Sequence, residues 1–204
     1  MTKLYYTPGA CSLADHIALE WSGLPYEAVR VSREQRRSPE YLAINPAGAV
    51  PALQEGDWVL TQNAAILGYI ADRAPQAALS GDGTPRSRAE VNRWLGVLNS
   101  DVHPAFKPLF GASAFLGDEG TIEKTKVEAR SRLRALFERL DRQLAGREWI
   151  AGVRSVADPY LFVVTRWAKS SGIDLRGLDN LERHFRHMQQ DAGVRRALAA
   201  EGQG

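Results

Sequence analysis

The sequence predicts an α/β domain over residues 1–75 joined to an all-helical domain over residues 86–204. Three observations carry that prediction. Up to about Arg73, strand-like runs and helical periodicity follow one another in the order β, α, β, α, β, β, α. Between Ala74 and Pro85 the stretch APQAALSGDGTP loses periodicity and gathers glycine and proline, as a linker does. From Arg86 onward only helical periodicity remains, the pattern of a helical bundle.

Leu4 to Thr7 carry strand-forming side chains, and Pro8 with Gly9 ends that run on a tight turn. Leu13, Ile17 and Trp21 then recur at helical spacing with Ala14 and Ala18 beside them, and Gly23 supplies a stop. Ser12 suits the N-cap, and Asp15 three residues on can reach back as in a capping box, which sets Cys11 just outside the first turn. Tyr26 to Val31 reads as a second strand, and Ser38 to Ile44 as a short helical piece. Val50 to Gln54 and Trp58 to Thr61 form a hairpin around Glu55, Gly56 and Asp57, and Asn63 to Asp72 is helical. In the second half Val91, Trp94, Leu95, Leu98 and Val102 make one apolar face, and Ala129, Leu133, Leu136, Phe137, Leu140 and Leu144 make another. Pro159 to Ala168 is apolar on every side, as a central helix must be. Ser155 and Asp158 give a cap signal at its start, with Pro159 as its fourth residue.

Composition narrows the possible functions. The net charge of +2 comes from interspersed charges, so neither nucleic acid nor an anionic membrane is expected as a partner. A single cysteine allows no internal disulfide and fits a reducing compartment, the cytoplasm. No run of eighteen apolar residues and no basic-then-apolar leader occurs, so a soluble product is expected.

Cys11, that single cysteine, marks the candidate site. Unpaired N–H groups at a helix start carry partial positive charge and favour an anion, so a thiol there is expected to ionise more easily. The alternative is a buried cysteine acting as a small hydrophobe. A second unusual feature is Pro51, which opens a strand although proline lacks the N–H that a ladder uses. A cis Val50–Pro51 bond would turn the Val50 backbone toward a ligand, and a trans proline at a strand edge is the other possibility. Asn92, Gly96, Asn99 and His103 share a polar helix face that looks into a cleft, toward a second subunit or into solvent.

The element order, a cysteine at the first helix and a proline opening the third strand resemble a thioredoxin-like domain. With the helical second half, the whole chain resembles a cytosolic glutathione transferase. The segments KLYYTPGACSLADHIAL, YLAINPAGAVPAL, LTQNAAILGYIAD, DVHPAFKPLF and SVADPYLFVVTRWA are most similar to the bacterial beta class. The resemblance implies a homodimeric, glutathione-binding detoxification enzyme with no metal, in which glutathione is substrate or cosubstrate and a small electrophile is the partner. It implies that Cys11 lies against the glutathione sulfur with Ser12 beside it. It further implies that Val50, before a cis Pro51, pairs its backbone with the cysteinyl part, and that Gln62 and Asn63 hold the γ-glutamyl end. His103 would stand near the sulfur, Trp167 in the electrophile pocket, and Phe106 and Phe110 along its apolar wall. Tyr6 lies near where animal classes keep a catalytic tyrosine, on which beta enzymes do not depend. Among Arg33, Arg36 and Arg37, Arg33 aligns best with the beta-class lysine that meets the glycine carboxylate, and Arg36 follows closely.

Three positions depart from that pattern. The beta class usually has Glu and Ser where this chain has Gln62 and Asn63, which turns a charge-assisted bond into a neutral one. A family asparagine that reaches across the dimer falls at Gly96, and Asn99 stands one turn on as its substitute. The expected activity is conjugation of the glutathione thiolate to small hydrophobic electrophiles. Alternatives are a thiol transferase or disulfide reductase working through a mixed disulfide on Cys11, and a noncatalytic binding protein that keeps the fold.

Overall fold

The computed structural model describes residues 1–203. Strand β1 (Thr2–Tyr6) leads into α1 (Ser12–Ser22), and β2 (Tyr26–Arg30) returns parallel to β1, with Thr2 opposite Tyr26. Then come α2 (Pro39–Ile44), β3 (Ala52–Glu55), β4 (Trp58–Thr61) and α3 (Asn63–Arg73). Both later strands run antiparallel to their neighbours, giving the sheet order β2-β1-β3-β4. Side-chain alternation along the strands decides what each face packs against. Leu4 and Leu53 point to the side where Leu13, Ile17, Ile66, Leu67 and Ile70 of α1 and α3 are buried. Tyr5 and Ala52 point to the other side, against Tyr41 of α2, Val31 and Val50.

The linker joins the two halves by packing as well as by sequence, since Leu79 is fully buried and its carbonyl accepts from Val156 N–H at 3.0 Å. Helix α4 (Pro85–Gly96) starts on Thr84, whose hydroxyl accepts from Ser87 N–H, and all five residues of its expected apolar face are buried. It runs on through a π-helical turn, Val97–Val102, into the short α5 (His103–Ala105). Pro104 has no N–H for the Ser100 carbonyl, so the regular α-helical ladder cannot continue there and the chain widens by a residue. Helix α7 (Ala157–Ser170), in which every residue from Ala157 to Thr165 is buried, packs against α1, α4, the π-helical turn and α8 (Asp179–Gln190), while α6 (Glu119–Gln143) packs on α8 and α9 (Ala192–Ala200) on α1 and α8. Pro159 is the third residue of α7, one earlier than its sequence signal suggested, so its missing N–H falls among groups that have no helical partner. The Asp158 carboxylate ties down the chain that leads into this start, accepting from Ser155 N–H at 3.0 Å and from Ile150 N–H at 2.9 Å. Among the described residues no helix is long and apolar enough to cross a membrane.

The start of α1 corrects two expectations. Ser12 is the first residue of the helix and makes no cap; its buried hydroxyl turns back to Thr7, 3.3 Å from both the N–H and the carbonyl. Asp15 does not reach back to the helix start, because its carboxyl is buried between α1 and α3.

Candidate active site

A cavity of about 130 Å³ lies where the sheet-containing half meets α4 and its continuation. It is lined by Cys11, by Asn45, Ala47, Ala49, Val50 and Pro51, by Thr61, Gln62 and Asn63, and by Asn99 and His103.

Cys11 reaches this cavity because the loop before it is clamped from distant parts of the chain. Gly9, at φ 73°, donates its N–H to Glu201 Oε2 at 3.0 Å, and its carbonyl accepts from Trp167 Nε1 at 2.9 Å. Glu201 is itself buried and meets His16 Nδ1 at 3.1 Å. A side chain at position 9 would be strained at this φ and would crowd the Gln203 amide, which lies 3.0 Å from where its Cβ would sit. The half-buried Cys11 thiol donates to the Val50 carbonyl at 3.6 Å. Contrary to the sequence expectation, its pKa lies above the ordinary thiol range. Burial pushes it up to about 12, the Asp15 carboxyl adds to the rise, and the amides at the helix start and Arg36 only partly offset them. The helix-start field exists, but desolvation outweighs it.

The second wall is made by the turn before Pro51. Asn45 Oδ1 accepts from Ala47 N–H at 3.1 Å and its Nδ2 donates to the Ala49 carbonyl at 2.7 Å, which also accepts from Tyr41 hydroxyl at 2.6 Å. The Val50–Pro51 peptide bond is cis, and both residues line the cavity. The third wall is the start of α3. Gln62 stands at φ 75° and ψ 115°, a conformation that non-glycine residues rarely adopt. Asn63 follows, with its side chain turned inward: its amide nitrogen donates to Asp15 Oδ2 at 2.7 Å and to the Cys11 carbonyl at 3.1 Å, the orientation that satisfies both neighbours.

The fourth wall belongs to the helical half. His103 Nδ1 and the Tyr160 hydroxyl share a hydrogen bond at 2.7 Å, and the same hydroxyl lies 3.3 Å from Asn99 Oδ1. Burial, aided by Lys107, lowers the His103 pKa, so the imidazole is neutral near pH 7. Trp167 lies edge-on to His103 at 4.8 Å between centroids and to Phe110 at 5.3 Å, while Phe106 stacks on Phe110 at 5.6 Å. Phe110 is 53% exposed and faces outward, whereas Phe106 is fully buried and backs the cluster without lining the cavity.

The geometry thus gathers Cys11, Val50, Pro51, Gln62, Asn63, Asn99 and His103. It does not gather Ser12, whose hydroxyl is spent on Thr7, or Arg33, which is exposed on the outer loop, and Trp167, Phe106 and Phe110 form an aromatic group beside His103 without lining the cavity. Arg36 is the arginine whose charge reaches Cys11 and Tyr41, and its buried Nε has no hydrogen-bond partner.

The first 72 residues match the family described as "Glutathione S-transferase, N-terminal domain". Over 98% of both chains this one is 55% identical to the glutathione S-transferase GST-4.5 of Xanthomonas campestris, and it is 37% identical to GstA of Escherichia coli O157:H7 over an equal share. The chain belongs to the glutathione S-transferase family. Among solved structures, a glutathione S-transferase from Xylella fastidiosa superposes with a TM-score of 0.97 at 53% identity, with 99% of each chain covered. A bacterial beta-class enzyme from Sphingomonas chungbukensis does so with a TM-score of 0.88 at 39% identity, over 99% of this chain and all of that one.

Several residues of this transferase's site escape a reading of its sequence. Asn45 was signalled only by the Asn-Pro turn dipeptide, and Tyr160 was hidden in a wholly apolar stretch. Glu201 carried no signal at all, because its partners Gly9 and His16 lie at the opposite end of the chain.

Proposed function

We propose that this transferase binds glutathione in the cavity between Cys11, Val50, Gln62, Asn63, Asn99 and His103, and joins the intact glutathione through its sulfur to small apolar electrophiles. The observation that carries the reading is one cavity lined together by Cys11, whose thiol burial pushes up, by Val50 beside the cis bond, and by His103, whose pKa burial lowers. The γ-glutamyl carboxylate is received by the N–H groups at the start of α3, where the helix dipole favours an anion, and Gln62 accepts from the ammonium. The Val50 backbone pairs with the cysteinyl unit, and Arg36 meets the glycine carboxylate with its forked guanidinium. His103 Nε2 takes the proton from the glutathione thiol. The resulting thiolate attacks the electrophilic carbon, forming the C–S bond as the leaving group departs with its electron pair. Trp167 and Phe110 supply the apolar surface on which the electrophile lies. A homodimer working in the cytoplasm on toxic electrophiles completes this reading.

A second reading, thiol exchange through a mixed disulfide, has one observation in its favour: the Cys11 thiol opens onto the same cavity. The Cys11→Ala variant separates the two. Conjugation of 1-chloro-2,4-dinitrobenzene should persist within about threefold, and release of glutathione from a mixed-disulfide substrate should vanish. Loss of both activities with glutathione binding intact would contradict the assignment of the attacking sulfur to glutathione. Calorimetry that detects no heat with millimolar glutathione would instead support a protein that has kept the fold without the ligand.

A further inference from the structure

Asp15 has no role in the reading above, yet it occupies a costly position. Its carboxyl is completely buried, one turn after Cys11 on α1, and among the described residues no cation lies within ion-pair distance of it. One oxygen, Oδ1, is buried with no hydrogen-bond partner. An apolar residue would avoid that penalty. What the carboxyl does engage is the site: Oδ2 accepts from the Asn63 amide at 2.7 Å, and the same nitrogen meets the Cys11 carbonyl at 3.1 Å. One amide therefore fastens the start of α3 to the start of α1, with Asp15 as the outer acceptor.

The segment so fastened is strained. Gln62, immediately before Asn63, holds φ 75° and ψ 115°, and such a conformation persists only where its surroundings impose it. The Ile66 N–H bond to the Gln62 carbonyl at 3.0 Å fixes one side of this residue. The Asn63 tie to α1 fixes the other. We infer that Asp15 is a positioning residue for the glutamyl subsite, holding Asn63 inward so that the strained Gln62–Asn63 turn presents its backbone to the ligand and keeps its place against Cys11. Burial and the nearby Glu201 raise the Asp15 pKa well above the ordinary range, in keeping with a carboxyl that serves as a hydrogen-bond acceptor and not as a counter-charge. The inference rests on the proposed glutathione site.

The test is calorimetric titration of the full-length protein with glutathione, accompanied by steady-state kinetics and thermal melts. Asp15→Ala should weaken glutathione binding about tenfold and raise KM for glutathione with kcat within about twofold, while Asp15→Asn, which keeps an acceptor oxygen, should stay within about twofold of the parent. In an Asn63→Ala background the Asp15→Ala change should add less than twofold. Asp15→Leu, close in size and without an acceptor oxygen, should weaken binding as much as the alanine does, and it supplies the answer should Asp15→Ala not fold. Parent-like binding by Asp15→Ala or Asp15→Leu, an Asp15→Asn variant as weak as the alanine, or effects that multiply in the double variant would each overturn the role of Asp15. A parent protein that itself shows no heat with glutathione would remove the proposed site, and this inference with it.

Discussion

The two walls of the cleft are built on different principles. The wall from the sheet-containing half offers mainly backbone: the helix-start amides at Cys11, the Val50 peptide beside a cis bond, and the Gln62–Asn63 turn. Its side chains mostly face inward and hold that backbone still, as Asn45 does for the turn at Ala49, Ser12 for Thr7 and Asn63 for the Cys11 carbonyl. The helical wall offers side chains, with His103 and Asn99 joined through Tyr160 and an aromatic group around Trp167. Backbone recognition depends on shape and fails when its supports fail. Side-chain recognition can be altered one group at a time. Binding of the constant ligand is therefore tied to fold stability, whereas the reacting groups and the variable electrophile are served by residues that can change separately.

Substitutions on each side sharpen this contrast. The largest effect should come from Glu201→Ala, which leaves Gly9 N–H and His16 without their buried partner. A loss of about 3 kcal/mol, or a thermal midpoint lower by about 8 °C, is expected together with weaker glutathione binding, and differential scanning calorimetry checks it. On the helical wall, His103→Gln should lower kcat about a hundredfold and leave the melting point and KM for glutathione nearly unchanged. The pH profile of the parent tests the same residue. Its folded pKa is depressed, so the neutral base persists to lower pH, and the acidic limb of kcat should fall below the 6.5 of an ordinary histidine. The smallest of these effects separates two neighbours on one loop: Arg36→Ala should raise KM for glutathione about fivefold, and Arg33→Ala less than twofold. Equal effects from the two would mean that the inner position of Arg36 has no bearing on the ligand.

How far each wall could be read from the sequence follows the same division. Local periodicity marks the four strands, α1 to α3 and α7 within a residue or two, but sets no ends for α6, α8 and α9, and the stripe from Val91 to Val102 is buried as its spacing requires. The Gly9 turn, the proline at position 51 and the polar face with Asn99 and His103 were visible because each breaks or follows a short-range rule. What stayed hidden was set by distant contacts. Ser12 looks like a cap until Thr7 is seen to take its hydroxyl. Arg33 and Arg36 differ in sequence by three positions and in space by burial, Arg33 being exposed and Arg36 half-buried with its charge felt at Cys11. The Cys11 thiol follows the same division. The helix start that favours thiolate is adjacent in sequence, whereas the burial that outweighs it exists only once the chain has folded.

The thiol of Cys11 is therefore where the account is most exposed to test. The direct measurement is the rate of its alkylation by iodoacetamide across pH 7 to 10, followed by intact-protein mass spectrometry. Only the thiolate reacts, so a thiol pushed up to about 12 should be alkylated slowly at pH 7, with the rate climbing about tenfold per pH unit and reaching no plateau in that range. A plateau below pH 8 would mean that Cys11 is already ionised at neutral pH, and the attacking sulfur would then have to be reassigned to the protein.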